Sequence, residues 1–539
     1  MRVLIFHGYL LEGTGSNVYN AQLATALVGL GHEVHLLSQD RHPERQPFVD
    51  AVGDWDGGAL RLRELGRPVR AHDEARRGRC IVYRPDIGNL LPVYVADRYE
   101  GIEARTFARC SDTELERYLD ANIAAVAEVV ALARPQLALA NHLIMGPAIL
   151  ARALGGTIPY AVKVHGSALE YTVKPEPARF LAVAREGLAP ARAVLVGSRH
   201  TALSLWRTLA DAELPRRTRL GPPGVDVARF APREPERAAA GVHELAARLR
   251  AGATQAAATH ELEPEPQPDG DVFARDLLGA ACAIEQLDPE RDALVAFVGK
   301  LIVSKGIDLL LAAWPLVLES VPQARLVVVG FGAYQDGVER LCAALAAGDL
   351  EQARELARAG RALEDPSRPA QPLRHLLAFF DSLQSAERAR YLDAASELGR
   401  RLVLTGRLEH EELADLLPAC DAVVVPSTFP EAFGMVAAEA AACGAMPISA
   451  AHSGLAEVST VLAHAIPEEA AAWLSFAVDD HAVQALAAAI TGWLSAAAQL
   501  RAATRAGLVA TVRERWSWEG VARGVIAAAS GDLDALEAP

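Results

Sequence analysis

Two carboxylates, Glu431 and Glu439, stand eight positions apart in the stretch 426–454, PSTFPEAFGMVAAEAAACGAMPISAAHSG. The apolar run 422–425 leads in as a buried strand, and the Ala-rich run 435–443 leads out as a helix. The turn at Phe433-Gly434 falls between them. There the free N–H groups of a helix start and the helix dipole favour an anion such as a phosphate. Glu431 precedes the first turn, and Glu439 lies about two turns further along at 3.6 residues per turn. One acid can then address a polar group beyond the phosphate and the other a group on its far side. The competing reading is that first-turn acids do no more than stabilise a helix.

Three further constellations carry chemistry. Gly13-Thr14-Gly15-Ser16-Asn17 lies between a first strand and a first helix, where glycines let the backbone approach an anion. The third glycine of a dinucleotide fingerprint is missing, since Tyr19 and Asn20 occupy that region. Ser38 and Gln39, not an acid, follow the second strand, so a dinucleotide cofactor is disfavoured. Gly299-Lys300 and Lys305-Gly306 follow the first strand of the second half. Two cations there could converge on a diphosphate, each charge-assisted contact contributing about 1.5–3 kcal/mol. The spacing is not that of a P-loop, and solvated loop lysines are the plain alternative. Val164-His165-Gly166-Ser167 ends a strand of the first half. A histidine there can donate to a hydroxyl or present its carbonyl, although a single histidine is more often structural.

Composition narrows the class. At 539 residues the chain exceeds one core and reads as two large domains with insertions. A net charge of −15 argues against a general nucleic-acid binder. The six cysteines are scattered without paired metal spacing, which points to a reducing compartment and no metal site. MRVLIFHGYLL reads as a first strand and not a signal peptide, and no run is long and apolar enough to span a bilayer. The expectation is a soluble, cytoplasmic protein.

The elements that must position these residues alternate. In the first half, strands are expected at 3–6, 33–37, 137–140, 160–164 and 193–196. Helices fall at 17–29, 112–133, 146–153, 178–189 and 199–210. The second half restarts the pattern, with strands at 294–298, 325–329, 401–404 and 422–425 and helices at 306–318, 410–418 and after Gly434. Such repetition means α/β architecture with two doubly wound parallel sheets, joined near Pro222-Pro223-Gly224. Two insertions interrupt it. Residues 231–291 include helical material and a Pro-rich acidic stretch, 251–271, that reads as a mobile loop. Residues 334–399 read as an amphipathic helical hairpin.

Taken in order, the glycine turn, His165-Gly166, Pro223-Gly224-Val225-Asp226, Lys300…Lys305, Val329-Gly330-Phe331-Gly332 and Glu431…Glu439 closely resemble retaining glycosyltransferases of family four, with the GT-B fold. Cys443-Gly444…Pro447 and Ser453-Gly454 strengthen the last signature, and Arg515-Trp516-Ser517-Trp518 looks like the family's C-terminal segment. The resemblance covers about 400 residues. It implies a first, acceptor-side domain 1–224 and a nucleotide-sugar domain 225–508 facing it across a cleft, with 509–539 returning to the first. It also implies a metal-independent transfer with retention and no permanently bound cofactor. The co-substrate would be a nucleoside-diphosphate-sugar, a UDP-sugar by default and a GDP- or ADP-sugar as alternatives.

By that resemblance Lys300 and Lys305 neutralise the departing diphosphate. The amides of Gly434, Met435 and Val436 add helix-terminus stabilisation. Glu431 and the Phe433 backbone hold sugar hydroxyls, and Glu439 takes the ribose. Gly15 and Ser16 close over the phosphates, and His165 sits beside the sugar. Lysine at 300, where the family commonly has arginine, loses bidentate geometry. The loops 40–80 and 84–110, with Asn141 and His142, are expected to shape the pocket of a small-molecule, glycan or lipid-linked acceptor. The helical insertion offers a surface for self-association. Other GT-B chemistries, a nucleotide-sugar epimerase or a phosphorylase, lack their signalling residues. A non-catalytic scaffold is disfavoured by the joint presence of Glu431, Glu439, Lys305 and His165.

Overall fold

The computed structural model describes residues 1–66, 78–95, 102–260, 275–365, 367 and 369–539. The chain divides into two compact units, Met1–Gly224 with Trp516–Pro539, and Val225–Arg515.

The first unit is built on strands β1 (Arg2–Phe6), β2 (Glu33–Leu37), β3 (Ala51–Asp56), β4 (Ala59–Glu64) and β5 (Arg79–Arg84). The small pair β6 (Leu90–Val93) and β7 (Glu103–Thr106) stands apart. The sheet is completed by β8 (Leu137–Asn141), β9 (Tyr160–Val164), β10 (Ala193–Val196) and β11 (Thr218–Leu220). The nine-stranded order is β11-β10-β9-β8-β1-β2-β5-β3-β4. Neighbours run parallel except for the edge hairpin β3–β4. Because side chains alternate along a strand, Val3 and Ile5 enter one core while Leu4 and Phe6 enter the other. The first of these cores is roofed by the helices Gly15–Gly29 and Trp518–Ser530. The second lies under Asp112–Ala133, Gly146–Leu154 and Pro177–Leu188.

Two expectations for this unit need correcting. Residues 40–80 and 84–110 are not simply loops, since they supply β3, β4, β5, β6 and β7, while 67–77 and 96–101 lie outside the described residues. Strand β4 is exposed along most of its length, so no apolar run advertised it. The returning terminal segment begins at Trp516 and not at 509, because Ala498–Arg515 is one continuous helix of the second unit.

The second unit contains β12 (Ala293–Val298), β13 (Ala324–Val329), β14 (Leu402–Gly406), β15 (Ala422–Val425), β16 (Met446–Ala450) and β17 (Ser475–Phe476). They form an all-parallel sheet in the order β14-β13-β12-β15-β16-β17. The chain winds outward from β12 to β14 and then returns beside β12 as β15. The loops after β12 and β15 therefore diverge and leave a crevice at the carboxyl ends of the two strands. In the first unit the same reversal falls between β1 and β8.

Both insertions are helical. Pro235–His260 forms one helix, so 251–260 is not loop, and 261–271 lies outside the described residues. The expected hairpin at 334–399 is instead most of the crossover from β13 to β14. It contains Gln335–Ala346, Leu350–Ala359, Arg374–Ser382 and Ser385–Ala395. Phe379, Phe380 and Tyr391 are buried, and the Tyr391 hydroxyl donates to the Ala312 carbonyl at 3.0 Å, fastening the crossover to the helix Ile307–Ser320. Among the described residues no single helix is long and apolar enough to cross a membrane. Ala482–Leu494 and Ala498–Arg515 pass that test only together and meet at 105°.

The terminal helix is held by Trp518. Its ring lies 5.5 Å from that of Tyr19, and a Cβ on Gly224 would stand 2.8 Å from it. Replacing Trp518 by Ala is expected to destabilise the first unit by about 3–5 kcal/mol, the usual cost of emptying a large core site. Urea unfolding reads this directly, and an unchanged midpoint would show that the terminal helix is not part of the core.

Candidate active site

In the second unit the loop after β12 passes through Gly299, Lys300 and the turn Val303–Lys305 into the helix Ile307–Ser320. The loop after β15 passes through 426–434 into the helix Met435–Cys443. Gly306 has φ +68, and a Cβ there would stand 2.0 Å from the Pro426 carbonyl oxygen. Only glycine lets these loops touch. The Thr428 amide donates to the Ser304 carbonyl at 2.9 Å across the contact. This junction carries the Lys305 ammonium onto the Glu431 carboxylate, and the two form an ion pair.

Glu431 is held from several sides. Its carboxylate accepts from Ser427 Oγ at 2.7 Å, its amide donates to Ser453 Oγ at 2.9 Å, and its carbonyl accepts from the Gly454 amide at 3.0 Å. A Cβ on Gly454 would lie 2.7 Å from the Ala432 carbonyl and the Phe433 nitrogen, so this approach also requires glycine. Ser453 itself has φ +54, a conformation that costs a non-glycine residue energy and is kept where surrounding contacts over-determine it. His452 Nε2 donates to the Ser427 carbonyl at 2.8 Å. Burial works against the Glu431 charge. Lys305, Ser427 and His452 outweigh it, so the carboxyl lies below its ordinary value and is ionised.

Glu439 is 4% exposed, and its Oε1 lies 2.7 Å from His410 Nε2. Burial lowers the His410 pKa, but the charge and hydrogen bond of Glu439 raise it further, leaving it above 6.5. The Phe230 ring lies 4.8 Å from that imidazole. Phe433 is buried, while Gly434, Met435 and Val436 are half-buried at the start of their helix, where first-turn amides lack an intrahelical acceptor. Lys300 is half-buried at the head of its loop. Glu364, from the β13–β14 crossover, accepts the Val303 amide and so braces the turn that carries Lys305.

In the first unit, uncharged groups occupy the corresponding strand ends. Asn141 Nδ2 donates to the Phe6 carbonyl at 3.2 Å and to Asn20 Oδ1 at 2.8 Å, which leaves its Oδ1 to accept from His165 Nε2 at 2.8 Å. Asn20 Nδ2 donates in turn to His7 Nδ1 at 3.0 Å and to the Ser16 carbonyl at 2.8 Å. His7 Nε2 then donates to Asn17 Oδ1 at 3.1 Å, and Asn17 Nδ2 donates to the Glu12 carbonyl at 2.6 Å. Burial pushes the His7 imidazole down to about 4 and drives His165 well below its ordinary value, helped there by His142, Lys163 and His7. Both are neutral. Buried Lys163, pushed down to about 7 by desolvation, donates to the Gly221 carbonyl at 2.5 Å.

The structure therefore joins Lys305 with Glu431, and His165 with Asn141. Gly15 is exposed and Ser16 half-buried at the start of the helix Gly15–Gly29. Asn141 is 1% exposed, with every polar atom of its side chain engaged inside the unit. His142 is different. It is buried at φ +68, and neither ring nitrogen has a partner among the described residues. The Tyr94 and His165 rings lie 4.7 and 4.9 Å from it.

Sequence reasoning gave no role to His7, Asn20, His410 or Glu364, while Asn17, Ser427 and Ser453 fell within its motifs without a role of their own. Ser427 stands four residues before Glu431, a spacing that is a local signal. Nothing local connects Glu364 or His410 to the residues they touch.

The family model Glycosyl transferases group 1 matches residues 284–350 and 374–507, all within the second unit. The match spans most of that unit. The D-inositol 3-phosphate glycosyltransferase of Segniliparus rotundus is 31% identical over 262 residues, which is 49% of this chain and 45% of that protein. A protein of the same description from Mycobacterium sp. strain KMS is 30% identical over 209 residues, 38% of this chain and 36% of that one. The chain thus spans less than half the length of these curated relatives. Among solved structures, sucrose-phosphate synthase from Thermosynechococcus elongatus matches with TM-score 0.53 and 20% identity over 97% of this chain and 96% of that one. Anabaena Alr3699/HepE in complex with UDP and glucose matches with TM-score 0.51 and 16% identity over 98% and 99%. At such identities the likeness is one of fold, and the fold is GT-B, with a Rossmann-like sheet in each unit.

The raised His410 value has a pH consequence. A histidine stabilised as imidazolium in the folded state contributes fully below 6.5, and that contribution is lost as pH rises through the higher folded value. His410→Gln should therefore cost more stability at pH 5.5 than at pH 8.5, with Asp226 and Arg229 as the other charges facing the ring. Paired urea titrations test this. A difference independent of pH would remove the Glu439–His410 charge pair.

Proposed function

We propose that the protein is a retaining glycosyltransferase that moves a sugar from a nucleoside-diphosphate-sugar, a UDP-sugar in first place, to a hydroxyl-bearing acceptor. The observation that carries this reading is the Lys305–Glu431 pair beside the start of the helix Met435–Cys443, at the crevice between β12 and β15. It supplies a cation and helix amides for a diphosphate and a carboxylate for sugar hydroxyls within one cluster. The relatives named as glycosyltransferases and a like-folded structure holding UDP and glucose support the same class of donor.

In this reading Lys305, Lys300 and the amides of Gly434, Met435 and Val436 take up the charge that grows on the diphosphate as the sugar C1–O bond breaks. Fixed dipoles and cations act most strongly on charge that develops in the transition state. The acceptor oxygen forms its bond to C1 on the same face, and its proton passes to the departing phosphate oxygen. Glu431, kept ionised, accepts from the sugar hydroxyls, and the Phe433 backbone adds a contact. Glu439 accepts from the ribose, a task that suits a carboxylate with two oxygens. Gly15, Ser16 and His165 are assigned to substrate as well. The acceptor side is assigned to His142, whose two ring nitrogens have no partner among the described residues and can meet hydroxyls, while Asn141 orients its neighbour His165.

Lys305→Ala is expected to lower turnover by about two to three orders of magnitude, and to affect donor affinity less. Steady-state kinetics with UDP-glucose varied at saturating acceptor decide the point. A raised Michaelis constant with normal turnover would make Lys305 a binding group only. Glu439→Ala is expected to weaken UDP binding by about 1.5–3 kcal/mol, the worth of a hydrogen bond to a charged group. Calorimetric titration showing wild-type affinity for UDP would withdraw the ribose assignment.

A further inference from the structure

The hydrogen bonds at the strand ends of the first unit have a single consistent direction. The Asn141 amide group is committed as donor to two oxygens, the Phe6 carbonyl and Asn20 Oδ1. Its Oδ1 can only accept, so the proton between Asn141 and His165 belongs to His165 Nε2. The orientation of Asn141 depends in turn on Asn20. The Asn20 amide donates to the Ser16 carbonyl and to His7 Nδ1, which turns Asn20 Oδ1 toward Asn141. His7 accepts at Nδ1 and therefore carries its proton on Nε2, where it meets Asn17 Oδ1 at 3.1 Å and the Leu10 carbonyl at 2.9 Å. The chain ends where Asn17 donates to the Glu12 carbonyl, at the edge of the glycine turn. Asn20, Asn141, Asn17 and His7 are each no more than 2% exposed, so water does not compete for these positions.

We propose that Asn20 is a positioning residue that, acting through Asn141, holds His165 as its Nε2-protonated tautomer and leaves Nδ1 as a hydrogen-bond acceptor toward substrate. The consequence is a rule for the site. His165 can accept from a substrate hydroxyl at Nδ1 but cannot donate to a carbonyl or phosphate oxygen there. The role of substrate partner for His165 rests on the proposed glycosyl transfer, whereas the tautomer does not.

The test uses the full chain labelled with 15N-histidine, and His165 is assigned by the resonance lost in His165→Gln. Long-range 1H–15N correlation at pH 7.5 should show His165 with a pyrrole-like Nε2 and a pyridine-like Nδ1. The opposite tautomer, or an even mixture, in the unmodified protein overturns the proposal without any variant. Asn20→Ala removes the acceptor facing Asn141 and should shift His165 toward a mixture. It should also lower turnover of UDP-glucose about ten-fold or more with little change in KM, as expected when a reacting geometry is loosened. Asn20→Asp keeps an acceptor for Asn141 but cannot donate to His7. It should move His7 to the Nδ1-protonated form and leave His165 as it was. An unshifted His165 in Asn20→Ala, or equal effects of Ala and Asp on His165, overturns the assignment. If the tautomers behave as expected but no donor is turned over by the unmodified protein, the proposed function fails and the positioning role of Asn20 stands.

Discussion

A half-buried ammonium and a half-buried carboxylate, Lys305 and Glu431, meet between loops that leave neighbouring parallel strands, and much of the second unit is arranged so that they can. Neither charge is cheap to bury alone, since an unpaired ion in such surroundings carries a desolvation cost of several kcal/mol. The pair therefore demands that both loops be held. Gly306 lets one loop lie on the other, Glu364 braces the turn before Lys305, and Ser427, Ser453 and Gly454 fix Glu431. The strained backbone of Ser453 is intelligible in this setting, because its hydroxyl satisfies the amide of the residue that carries the charge.

The first unit solves the equivalent problem without charge. Its strand order also reverses, and the polar groups buried at those strand ends are asparagines and neutral histidines linked head to tail. Burial keeps the imidazoles neutral, and neutrality is what allows each to accept at one nitrogen while donating at the other. His142 sits in a buried aromatic setting, and among the described residues neither of its nitrogens has a partner.

The helical crossover between β13 and β14 joins structure to site. Its large apolar residues fasten it to the helix Ile307–Ser320, while Glu364 reaches the loop in front of that helix. It includes 351–373, which separate the two segments matched by the family model. Part of what holds Lys305 in this chain therefore comes from outside the shared pattern.

The chain of residues by itself determined the alternation of strands and helices, because hydrophobic periodicity is a local property that survives any tertiary arrangement. Thus β2, β9, β10 and β15 stand where the apolar runs put them, and the turn at Phe433-Gly434 separates a strand from a helix as its flanking residues require. The same local reasoning passed over β4, whose side chains are mostly exposed, and took 251–260, the last turns of the helix Pro235–His260, for loop. Which polar groups meet was another matter. Lys305 and Glu431 are 126 residues apart, and Asn141 and Asn20 are 121 apart. Glu439 finds His410 across 29 residues with no motif between them. These partnerships depend on which strands become neighbours and on how closely glycine lets their loops approach. Residue types could name the groups able to do chemistry, but only the folded sheets decided which charge is answered, which histidine nitrogen bears the proton, and which one is left open.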